Sequence, residues 1–390
     1  MKTNPKVLFI QPGPEGPHIE KGKNIFACLS RYLRGDVLST TWWDEKEERN
    51  QKITEISEAC GHFTYQATNL FLNRFTKLKP IAHVAYYLSK AFWLQSTKGK
   101  YDVTVAYGTL TTGLASILFK YLTNTKCIVE VPGNPWTARE IHNDAEKITL
   151  KDKIAPAITS FVLKHADHVK LLYPSQIGPK VPLSPDMTSV FHDFVPIQTM
   201  QPGKKKLPLI MLIGYPWKLK GADTLIQAFQ KISADYPNHH LKIVGFCPDK
   251  TPFIKLAAGN DRIELLGPMP NSEVVDLLSQ AELFVLPSRT EAMGRVLLEA
   301  MKVKTPIIAS NVDGIPHYVV NGETGLLVPP NNVDELANAM REMMDNPQKR
   351  LQYADKAFQR VTQKYTEDKF ALQFRQMVDF VINPKECAPN

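Results

Sequence analysis

The chain has 390 residues, of which 43% are hydrophobic and 22% are charged, and its formal net charge is +8. This length can form two ordinary domains with full cores, and the longest apolar runs are too short to span a bilayer, which excludes a small disulfide-stapled scaffold and an integral membrane protein. The excess of Lys and Arg predicts an acidic partner, which is a nucleotide-sugar phosphate, an anionic membrane surface or nucleic acid.

The cysteines and the first residues bear on the compartment. The chain runs from Met1 to Pro5 straight into a strand pattern, without the apolar region of a signal peptide, which predicts a cytoplasmic protein. The cysteines are scattered, odd in number and free of Cys-x-x-Cys spacing, so they predict neither a disulfide framework nor a zinc site. They are Cys28, Cys60, Cys127, Cys247 and Cys387.

The first segment alternates strand, loop and helix. Residues 6–11 are an apolar run typical of a buried parallel strand, residues 12–17 are rich in Gly and Pro, and a helical pattern follows from about Lys21 to Arg34. This order is typical of the opening unit of a doubly wound α/β fold, in which ligands bind at the carboxyl ends of the strands. The Gly and Pro loop is therefore predicted to face a ligand crevice.

The stretch from Thr64 to Lys100 has a long helical pattern that is aromatic and basic. Such a stretch can lie on an anionic membrane and meet a lipid-linked acceptor. The alternative is two ordinary amphipathic helices that pack on a sheet. We favour this alternative, and binding to a membrane surface remains the second interpretation. The aromatic residues of the stretch from position 71 onward are Phe71, Phe75, Tyr86, Tyr87, Phe92 and Trp93.

The second half of the chain starts a new series of strands and helices. A polar segment over residues 197–207 is predicted to be a linker. An apolar run at 207–214 is then followed by a turn that ends at Gly221 and by a helical pattern. Further strand patterns at 241–245 and 262–267 each end in Gly, so a second doubly wound domain is predicted.

The most informative stretch runs from Phe284 to Pro330. A short apolar run closed by Pro-Ser predicts a buried strand, the loop after it carries Glu291, and Gly294 leads into an apolar helix that holds Glu299. A Gly at the start of a helix lets the backbone approach a ligand closely, and the free amides with the positive end of the helix dipole favour an anion. A phosphorylated ligand is therefore predicted here.

Glu299 is a carboxylate within an apolar helical sequence. An ionised group there is costly unless something hydrogen-bonds to it, and sugar or ribose hydroxyls are suitable donors. The alternative is an ordinary pair with a neighbouring Lys or Arg on a solvated helix face. The presence of Glu291 eight residues earlier favours the ligand-binding interpretation.

These motifs resemble the Glu-x7-Glu motif of the retaining, nucleotide-sugar-dependent glycosyltransferases of family 4, the group 1 family, which have the GT-B fold. The likeness runs from about Leu207 to Val328 and is thinner over the N-terminal half. It implies an α/β protein with two doubly wound Rossmann-like domains that face each other across a cleft. The implied parts are an acceptor-side domain at 1–197, a linker at 198–206, a nucleotide-sugar-binding domain at 207–365 and a C-terminal helix at 366–390 that crosses back to the first domain.

The resemblance also assigns roles to residues. Lys220 would grip the donor diphosphate, Glu291 would hold the hydroxyls of the donor sugar, and Glu299 would hold the ribose. Lys220 and Glu291 are the two predicted catalytic residues. The other predicted donor-binding residues are Gly16, Gly214, Lys218, Gly267, Met293, Gly294, Arg295 and Val296.

Two positions depart from the pattern of the family. Tyr215 stands where an Arg is expected directly after the first Gly of the phosphate-binding turn, and Pro132 stands where many relatives carry a His. Lys218 is close enough in sequence to supply the missing charge, although an ammonium group cannot reproduce the two-pronged contact of Arg. Both departures bear on how the donor is held.

The predicted function is a retaining hexosyltransferase that moves a sugar from UDP or GDP to a hydroxyl of a glycan or of a lipid-linked acceptor, in polysaccharide or glycolipid biosynthesis. Catalysis would stabilise the negative charge of the departing diphosphate, and the departing phosphate would take the acceptor proton. No metal or other cofactor is expected, since no Asp-x-Asp motif follows a strand. The expected location is the cytoplasm, with the cytoplasmic face of a membrane as an open alternative.

Other functions remain open at this stage. A GT-B sugar-nucleotide epimerase or a phosphorylase would keep the fold, and a phosphorylase would need a pyridoxal cofactor or an inorganic phosphate pocket. A non-catalytic GT-B subunit is suggested by Tyr215 and Pro132. A nucleic-acid-binding protein would need clustered Lys and Arg with stacking aromatic residues, whereas the charges are spread along the sequence, so no nucleic acid is expected. The donor sugar, the acceptor and the oligomeric state cannot be read from the sequence.

Overall fold

The computed structural model describes residues 4–12, 25–41, 52–58, 61–69, 79–136, 150–196, 200–201 and 206–384. Within this part of the chain, the contacts define two compact units. The first unit contains the described residues up to 136, those from 150 to 196 and those from 367 onward, and the second unit contains those from 200 to 366.

The first unit is built on one sheet, whose strands lie in the order β3-β4-β2-β1-β5-β6-β7-β8. The strands are β1 (Lys6–Gln11), β2 (Arg34–Thr41), β3 (Lys52–Glu58), β4 (Gly61–Asn69), β5 (Val103–Tyr107), β6 (Lys126–Glu130), β7 (His168–Leu171) and β8 (Thr188–Val190). Neighbouring strands are parallel, except that β3 is antiparallel to β4. The sheet is therefore of the doubly wound kind, with an antiparallel strand at one edge.

Four helices of this unit are α1 (Ile25–Leu29), α2 (Lys79–Lys98), α3 (Thr111–Thr123) and α4 (Leu150–His165). Alternate residues of β1 point to opposite faces of the sheet. Phe9 packs with Phe26 of α1 on one face, whereas Leu8 packs with Tyr87 of α2 and Phe119 of α3 on the other. Buried residues of α3 and α4 share the cluster that continues over β6 and β7, so α2, α3 and α4 cover one face together.

The second unit has a wholly parallel sheet in the order β11-β10-β9-β12-β13-β14. Its strands are β9 (Leu207–Ile213), β10 (His240–Val244), β11 (Ile263–Leu266), β12 (Ala281–Leu286), β13 (Ile307–Ser310) and β14 (Leu326–Val328). Its helices are α5 (Ala222–Ile232), α6 (Thr251–Ala257), α7 (Asn271–Gln280), α8 (Arg295–Lys302), α9 (Ile315–Tyr318), α10 (Val333–Asp345) and α11 (Pro347–Lys364).

The strand order of the second unit has a switch point between β9 and β12. From β9 the chain proceeds outward to β10 and β11, and it then returns to β12 on the other side of β9. In open parallel sheets, ligands bind beyond the carboxyl ends of the strands at such a point, because the connecting loops diverge to opposite faces and leave a crevice. The loops after Ile213 and Leu286 therefore border the expected ligand position.

The last helix, α12 (Glu367–Ile382), belongs to the first unit. Its apolar side packs into the cluster that also contains Phe9 and Phe26, and the rings of Phe374 and Phe9 lie 5.7 Å apart. Arg375 donates a hydrogen bond to the carbonyl of Tyr32 at 2.7 Å. A helix that follows the whole second unit in sequence thus completes the core of the first.

Two helical patterns predicted from the sequence differ in the structure. Helix α1 ends at Leu29, and Arg34 begins β2 instead of closing the helix. The pattern that starts at Thr64 also begins as a strand, because Gly61–Asn69 is β4, paired in register with β2. Strand pairing with a distant segment overrides local propensity at both places, and no sequence window contains that partner.

Residues 198–199 and 202–205 of the predicted linker lie outside the described residues, and the predicted domain bounds stay a prediction. Among the described helices, none is both long enough and apolar enough to cross a membrane.

Candidate functional site

The turn after β9 is anchored by a buried tryptophan. The backbone amide of Gly214 donates to the carbonyl of Val244 at 3.0 Å, which ties the end of β9 to β10. Trp217 is 1% exposed, and its ring meets that of Phe253 edge-on at 5.4 Å. Gly221 has φ +73 and leads directly into α5, a conformation that favours glycine. The turn is thus held at its start, middle and end.

This turn packs directly on the end of β12. A Cβ atom on Gly221 would lie 2.0 Å from the carbonyl oxygen of Pro287, so only a glycine permits the approach. The amide of Arg289 donates to the carbonyl of Leu219 at 2.8 Å. The loops on the two sides of the switch point therefore form one packed structure.

Arg289 links the two loops through three side-chain hydrogen bonds. Its guanidinium donates to both carboxylate oxygens of Asp223 on α5, each at 2.9 Å, and also to the carbonyl of Lys218. Paired charge-assisted bonds of this kind are stronger and more directional than single ones. No motif in the sequence singles out Arg289, and no local pattern identifies Asp223 as its partner.

The structure brings Lys220 and Glu291 together. The Lys220 Nζ donates to Glu291 Oε2 in an ion pair, and their side chains are only 16% and 12% exposed. The Lys220 side chain lies along Gly214, where a Cβ atom would be 3.2 Å from its Cε. The two residues predicted to be catalytic, 71 positions apart, thus meet at the switch point of the sheet.

Asp313 holds the Glu291 loop through its backbone. Its Oδ2 accepts hydrogen bonds from the Thr290 hydroxyl and from the Glu291 amide, the latter at 3.2 Å. The amide of Gly314 in turn donates to the Glu291 carbonyl at 3.0 Å. Asp313 was not among the residues predicted from the sequence. Its only local signal is an Asp-Gly pair, which predicts a turn and not the contact that the turn makes.

Helix α8 offers free backbone donors beside this pair. Gly294 has φ +65, and a Cβ atom on it would lie 2.8 Å from Leu297 Cδ1 and 3.3 Å from Glu291 Cγ. Within the described residues, no group accepts a hydrogen bond from the amides of Arg295 or Val296. With the positive end of the helix dipole, these amides are suited to an anion. Met293, just before Gly294, is buried and fixes this end of the loop.

Two further cationic side chains lie near the Lys220 turn and the start of α8. The side chains of Lys218 and Arg295 are exposed, and no described carboxylate forms an ion pair with either. Lys218 belongs to the same turn as Lys220, and Arg295 is the first residue of α8. This region therefore carries positive charge that the described residues leave uncompensated.

Glu299 lies one helical turn after Arg295. Burial raises the pKa of the Glu299 carboxyl above its ordinary value, and the nearby Arg295 offsets only part of that effect. No described residue donates a hydrogen bond to it, although part of its surface stays accessible. A partly accessible carboxyl without a partner can accept a hydrogen bond from a ligand hydroxyl.

The positions that depart from the family pattern are both exposed. Tyr215 is 47% exposed, and its ring lies 5.4 Å from that of Phe246, which follows β10 and is 53% exposed. An aromatic pair thus occupies the place where the resemblance implies a cation. Pro132 is exposed just after β6 in the first unit.

The predicted site residues are not all together. Gly214, Lys220, Glu291 and Gly294 are neighbours, whereas Gly267 follows β11, two strands away from β9, with open space where a Cβ would be. Gly16 lies outside the described residues. In the part of the chain that the structure describes, no three His, Cys, Asp or Glu side chains are arranged to hold a metal ion.

Residues 198–360 match the family model of the glycosyl transferases group 1. The chain is 30% identical over 162 residues to the alpha-D-kanosaminyltransferase of Streptomyces kanamyceticus, a match that covers 41% of this chain and 42% of that protein. The match therefore spans less than half of that relative. The family match over residues 198–360 includes the Lys220 turn, the Glu291 loop and α8.

Solved structures resemble the whole chain in fold. A sucrose-phosphate synthase from Thermosynechococcus elongatus has a TM-score of 0.76 and 19% identity, and the alignment covers 98% of this chain and 100% of that one. HepE from Anabaena, solved in complex with UDP-glucose, has a TM-score of 0.67 and 15% identity, with 96% and 99% covered. With two doubly wound sheets, the expected α/β GT-B fold is confirmed.

Proposed function

Because the chain belongs to the group 1 glycosyltransferases, we propose that it is a retaining, metal-independent hexosyltransferase that uses a nucleoside diphosphate sugar. The sugar passes to a hydroxyl of a glycan or of a lipid-linked acceptor, in polysaccharide or glycolipid biosynthesis at the cytoplasmic side of a membrane or in the cytoplasm. UDP and GDP are the candidate nucleotides. HepE from Anabaena, solved with UDP-glucose, supports a uridine donor by fold likeness.

The ion pair of Lys220 and Glu291 carries this proposal. It lies at the switch point of the second sheet, beside the free amides that begin α8 and the exposed Lys218 and Arg295. A diphosphate needs cations and amide donors, and a sugar needs a fixed carboxylate that accepts from its hydroxyls. Both requirements are met within one turn and one loop that pack on each other.

The chemistry follows from the charge that develops on the leaving group. As the bond between the sugar and the diphosphate breaks, negative charge accumulates on the phosphate oxygens, and Lys220 with the amides of Arg295 and Val296 stabilises it. The acceptor hydroxyl attacks from the side of the leaving group and gives its proton to the departing phosphate. This route retains the anomeric configuration and needs no metal ion.

The pairing of Lys220 with Glu291 also sets the geometry of binding. Because the two side chains are mostly buried, their ion pair holds the ammonium group in place before the donor arrives. The diphosphate then shares Lys220 with Glu291, and Lys218 takes part of the role that the resemblance assigns to an arginine at Tyr215. Glu299 accepts from the ribose hydroxyls.

The test measures nucleotide binding by thermal shift and calorimetry with UDP and GDP, because a ligand that binds only the native state raises its stability. Lys220→Ala is expected to lower the affinity and to reduce kcat/KM by about 10²-fold or more. Lys231→Ala is the matched control, since Lys231 is an exposed lysine of α5 that pairs with Asp334. It should leave both quantities unchanged.

Three results would contradict the proposal. One is an affinity for UDP and GDP that is the same in the Lys220→Ala variant as in the parent protein. Another is product of inverted anomeric configuration, measured by NMR of a sugar transferred from a panel of UDP and GDP sugars. The third is activity that disappears with EDTA and returns with Mg²⁺, since that would show that a metal carries the leaving-group charge.

A further inference from the structure

Large apolar side chains are exposed together on three helices of the first unit. We call Phe92 and Trp93 of α2, Tyr121 and Leu122 of α3 and Phe161 of α4 the apolar patch. Their exposed fractions are 39%, 49%, 59%, 66% and 40%. Single exposed apolar residues are ordinary on a protein surface, whereas a contiguous group marks an interaction surface.

Contacts between the helices place these side chains side by side. Phe92 packs edge-on against Phe119 of α3, with ring centroids 5.2 Å apart. The rings of Tyr121 and Phe161 both approach His165, the last residue of α4, at 6.1 and 4.2 Å. The patch therefore runs from α2 across α3 to α4 on the outer side of one helical layer.

The patch lies away from the ligand-binding edge of its sheet. Helices that connect parallel strands run against the strand direction, so the last turns of α2, α3 and α4 lie near the amino ends of the strands. All five patch residues belong to the second half of their helix. Ligands of such sheets bind at the carboxyl ends, so this surface serves another purpose.

Basic residues outnumber acidic ones in the sequence that contains α2 and α3. Between Glu58 and Glu130, Asp102 is the only acidic residue. The basic residues of the same stretch are Arg74, Lys77, Lys79, Lys90, Lys98, Lys100, Lys120 and Lys126. Three of these are compensated, because Lys98 pairs with Asp36, and Lys120 and Lys126 both pair with Asp167.

Uncompensated lysines border the apolar side chains. The Lys90 ammonium lies over the Trp93 ring, 5.0 Å from its centroid. Lys100 and Lys164 are exposed, with no carboxylate partner among the described residues. An exposed aromatic side chain with a lysine directly above it has an apolar body and a cationic tip, which suits the boundary between lipid headgroups and acyl chains.

The structure shows which side chains of the basic and aromatic stretch are exposed and can belong to the apolar patch. His83, Tyr86 and Tyr87 of α2 are buried, so this part of the helix packs on the sheet. Phe92 and Trp93 point outward instead. The contributions of α3 and α4 come from segments that are distant from this stretch in sequence or follow it.

We propose that the apolar patch and its lysines dock the protein on an anionic bilayer surface. Trp93, Tyr121 and Leu122 enter the headgroup region, and Lys90, Lys100 and Lys164 contact lipid phosphates. The link to a lipid-linked acceptor rests on the proposed function, whereas the binding to lipid does not. Docking would hold the enzyme at the surface that carries such an acceptor.

The observations favour a bilayer over two other occupants. A nucleic acid would be held by the lysines, but it leaves the alkyl side chain of Leu122 exposed to water. A second copy of the chain in a two-fold dimer would bring together two patches that carry the same excess of lysines, and like charges repel. An anionic bilayer matches both the apolar side chains and the positive charge.

The experiment is co-sedimentation of the full chain with phosphatidylcholine vesicles, with and without phosphatidylglycerol. Binding is expected only to the anionic vesicles. The double variant Trp93→Ser with Leu122→Ser should weaken it about tenfold or more, since both side chains lose their apolar burial in the interface. Leu372→Ser is the matched control, because Leu372 is 46% exposed on α12, at the opposite face of the same sheet.

The charge is tested separately. Lys90→Gln and Lys164→Gln should each lower vesicle binding by about fivefold at low salt, and the loss should shrink as salt rises. Lys356→Gln, an exposed lysine of α11, should leave vesicle binding unchanged. Thermal unfolding and UDP binding of each variant show whether it is folded and whether its donor site is intact.

Several outcomes would overturn the proposal. These are equal binding to neutral and anionic vesicles, unchanged binding of the folded double variant, and a dimer in analytical ultracentrifugation that the double variant abolishes. Binding of RNA or heparin that depends on the lysines but not on Trp93 and Leu122, without vesicle binding, would also overturn it. Vesicle binding by a chain that binds no nucleotide would support this proposal and contradict the proposed function alone.

Discussion

Arg289 and Asp223 form a two-pronged ion pair, with both nitrogen to oxygen distances at 2.9 Å. Arg289 follows β12 and Asp223 lies in the first turn of α5, so the pair joins the two sides of the switch point. Arg289 also donates to the carbonyl of Lys218. One side chain thus aligns the lysine turn with the loop that carries Glu291.

Arg289→Lys should weaken UDP or GDP binding by about tenfold, because an ammonium cannot make both bonds to Asp223 and also reach the Lys218 carbonyl. Calorimetric Kd values give the comparison. Arg341→Lys is the control, since Arg341 is an arginine that reaches Asp235 through a single contact of 3.3 Å at an exposed site. Equal Kd values for both variants would show that the Arg289 link does not position the site.

Gly221→Ala should destabilise the second unit and weaken nucleotide binding. The added Cβ would lie 2.0 Å from the Pro287 carbonyl, so the lysine turn must move away from β12. Gly322→Ala is the control, because Gly322 has a similar φ, +71 against +73, and nothing within 4 Å of its Cβ position. Both variants carry the backbone strain of about 1 kcal/mol, but only the first carries the clash.

Melting temperatures and nucleotide Kd values of the two glycine variants distinguish the effect of backbone strain, which both variants have, from the effect of the steric clash with Pro287, which only Gly221→Ala has. A larger loss of both stability and affinity for Gly221→Ala is the expected result. If the two variants lose the same stability and bind UDP and GDP alike, the packing of the turn on Pro287 does not matter for the site.

Glu299→Gln should stabilise the ligand-free protein at neutral pH. Burial raises the folded-state pKa of Glu299 above its ordinary value near 4.5, so its protonated form favours folding. This contribution to folding stability is fully present below pH 4.5 and is lost as pH rises through the folded-state pKa of Glu299. The melting temperature of the variant should therefore exceed that of the parent at pH 7 and match it near pH 4.5, in calorimetric scans over pH.

Glu282→Gln is the control, and the opposite change in folding stability is expected for it. Burial opposes ionisation of Glu282, but His239 and Arg350 outweigh it and lower its pKa. Its contribution is present above the ordinary pKa and lost as pH falls, so this variant should be less stable than the parent at pH 7. Glu299→Gln should in addition weaken nucleotide binding, by about tenfold, whereas Glu282→Gln should not. Equal Kd values would contradict the ribose role.

Tyr215→Arg should strengthen binding of the diphosphate. Tyr215 is 47% exposed, so an arginine fits without loss of core packing, and its fork can contact phosphate oxygens near Lys220. A gain of about tenfold in UDP or GDP affinity is expected, and it should shrink at high salt. Phe246→Arg tests whether any nearby cation has the same effect. An unchanged or lower affinity for Tyr215→Arg would contradict a phosphate contact from position 215.

Much of the second unit could be predicted from local sequence. The strands before Gly214 and Gly294 are apolar runs bounded by turn residues, and parallel strands buried on both faces have this pattern. The role of Gly294 at the start of α8 follows from the same kind of local rule. The first unit was harder, because pairing with β2 made a strand of residues 61–69 within a helical pattern.

The sequence by itself determined the alternation of strand and helix, the glycine turns and the candidate residues Lys220, Glu291 and Glu299, since each depends on neighbours within a few positions. Only the tertiary structure decided that Lys220 pairs with Glu291, that Asp313 holds the Glu291 loop, and that three helices share one exposed apolar surface. These contacts join residues that the strand order brings together, and strand order is a property of the whole sheet.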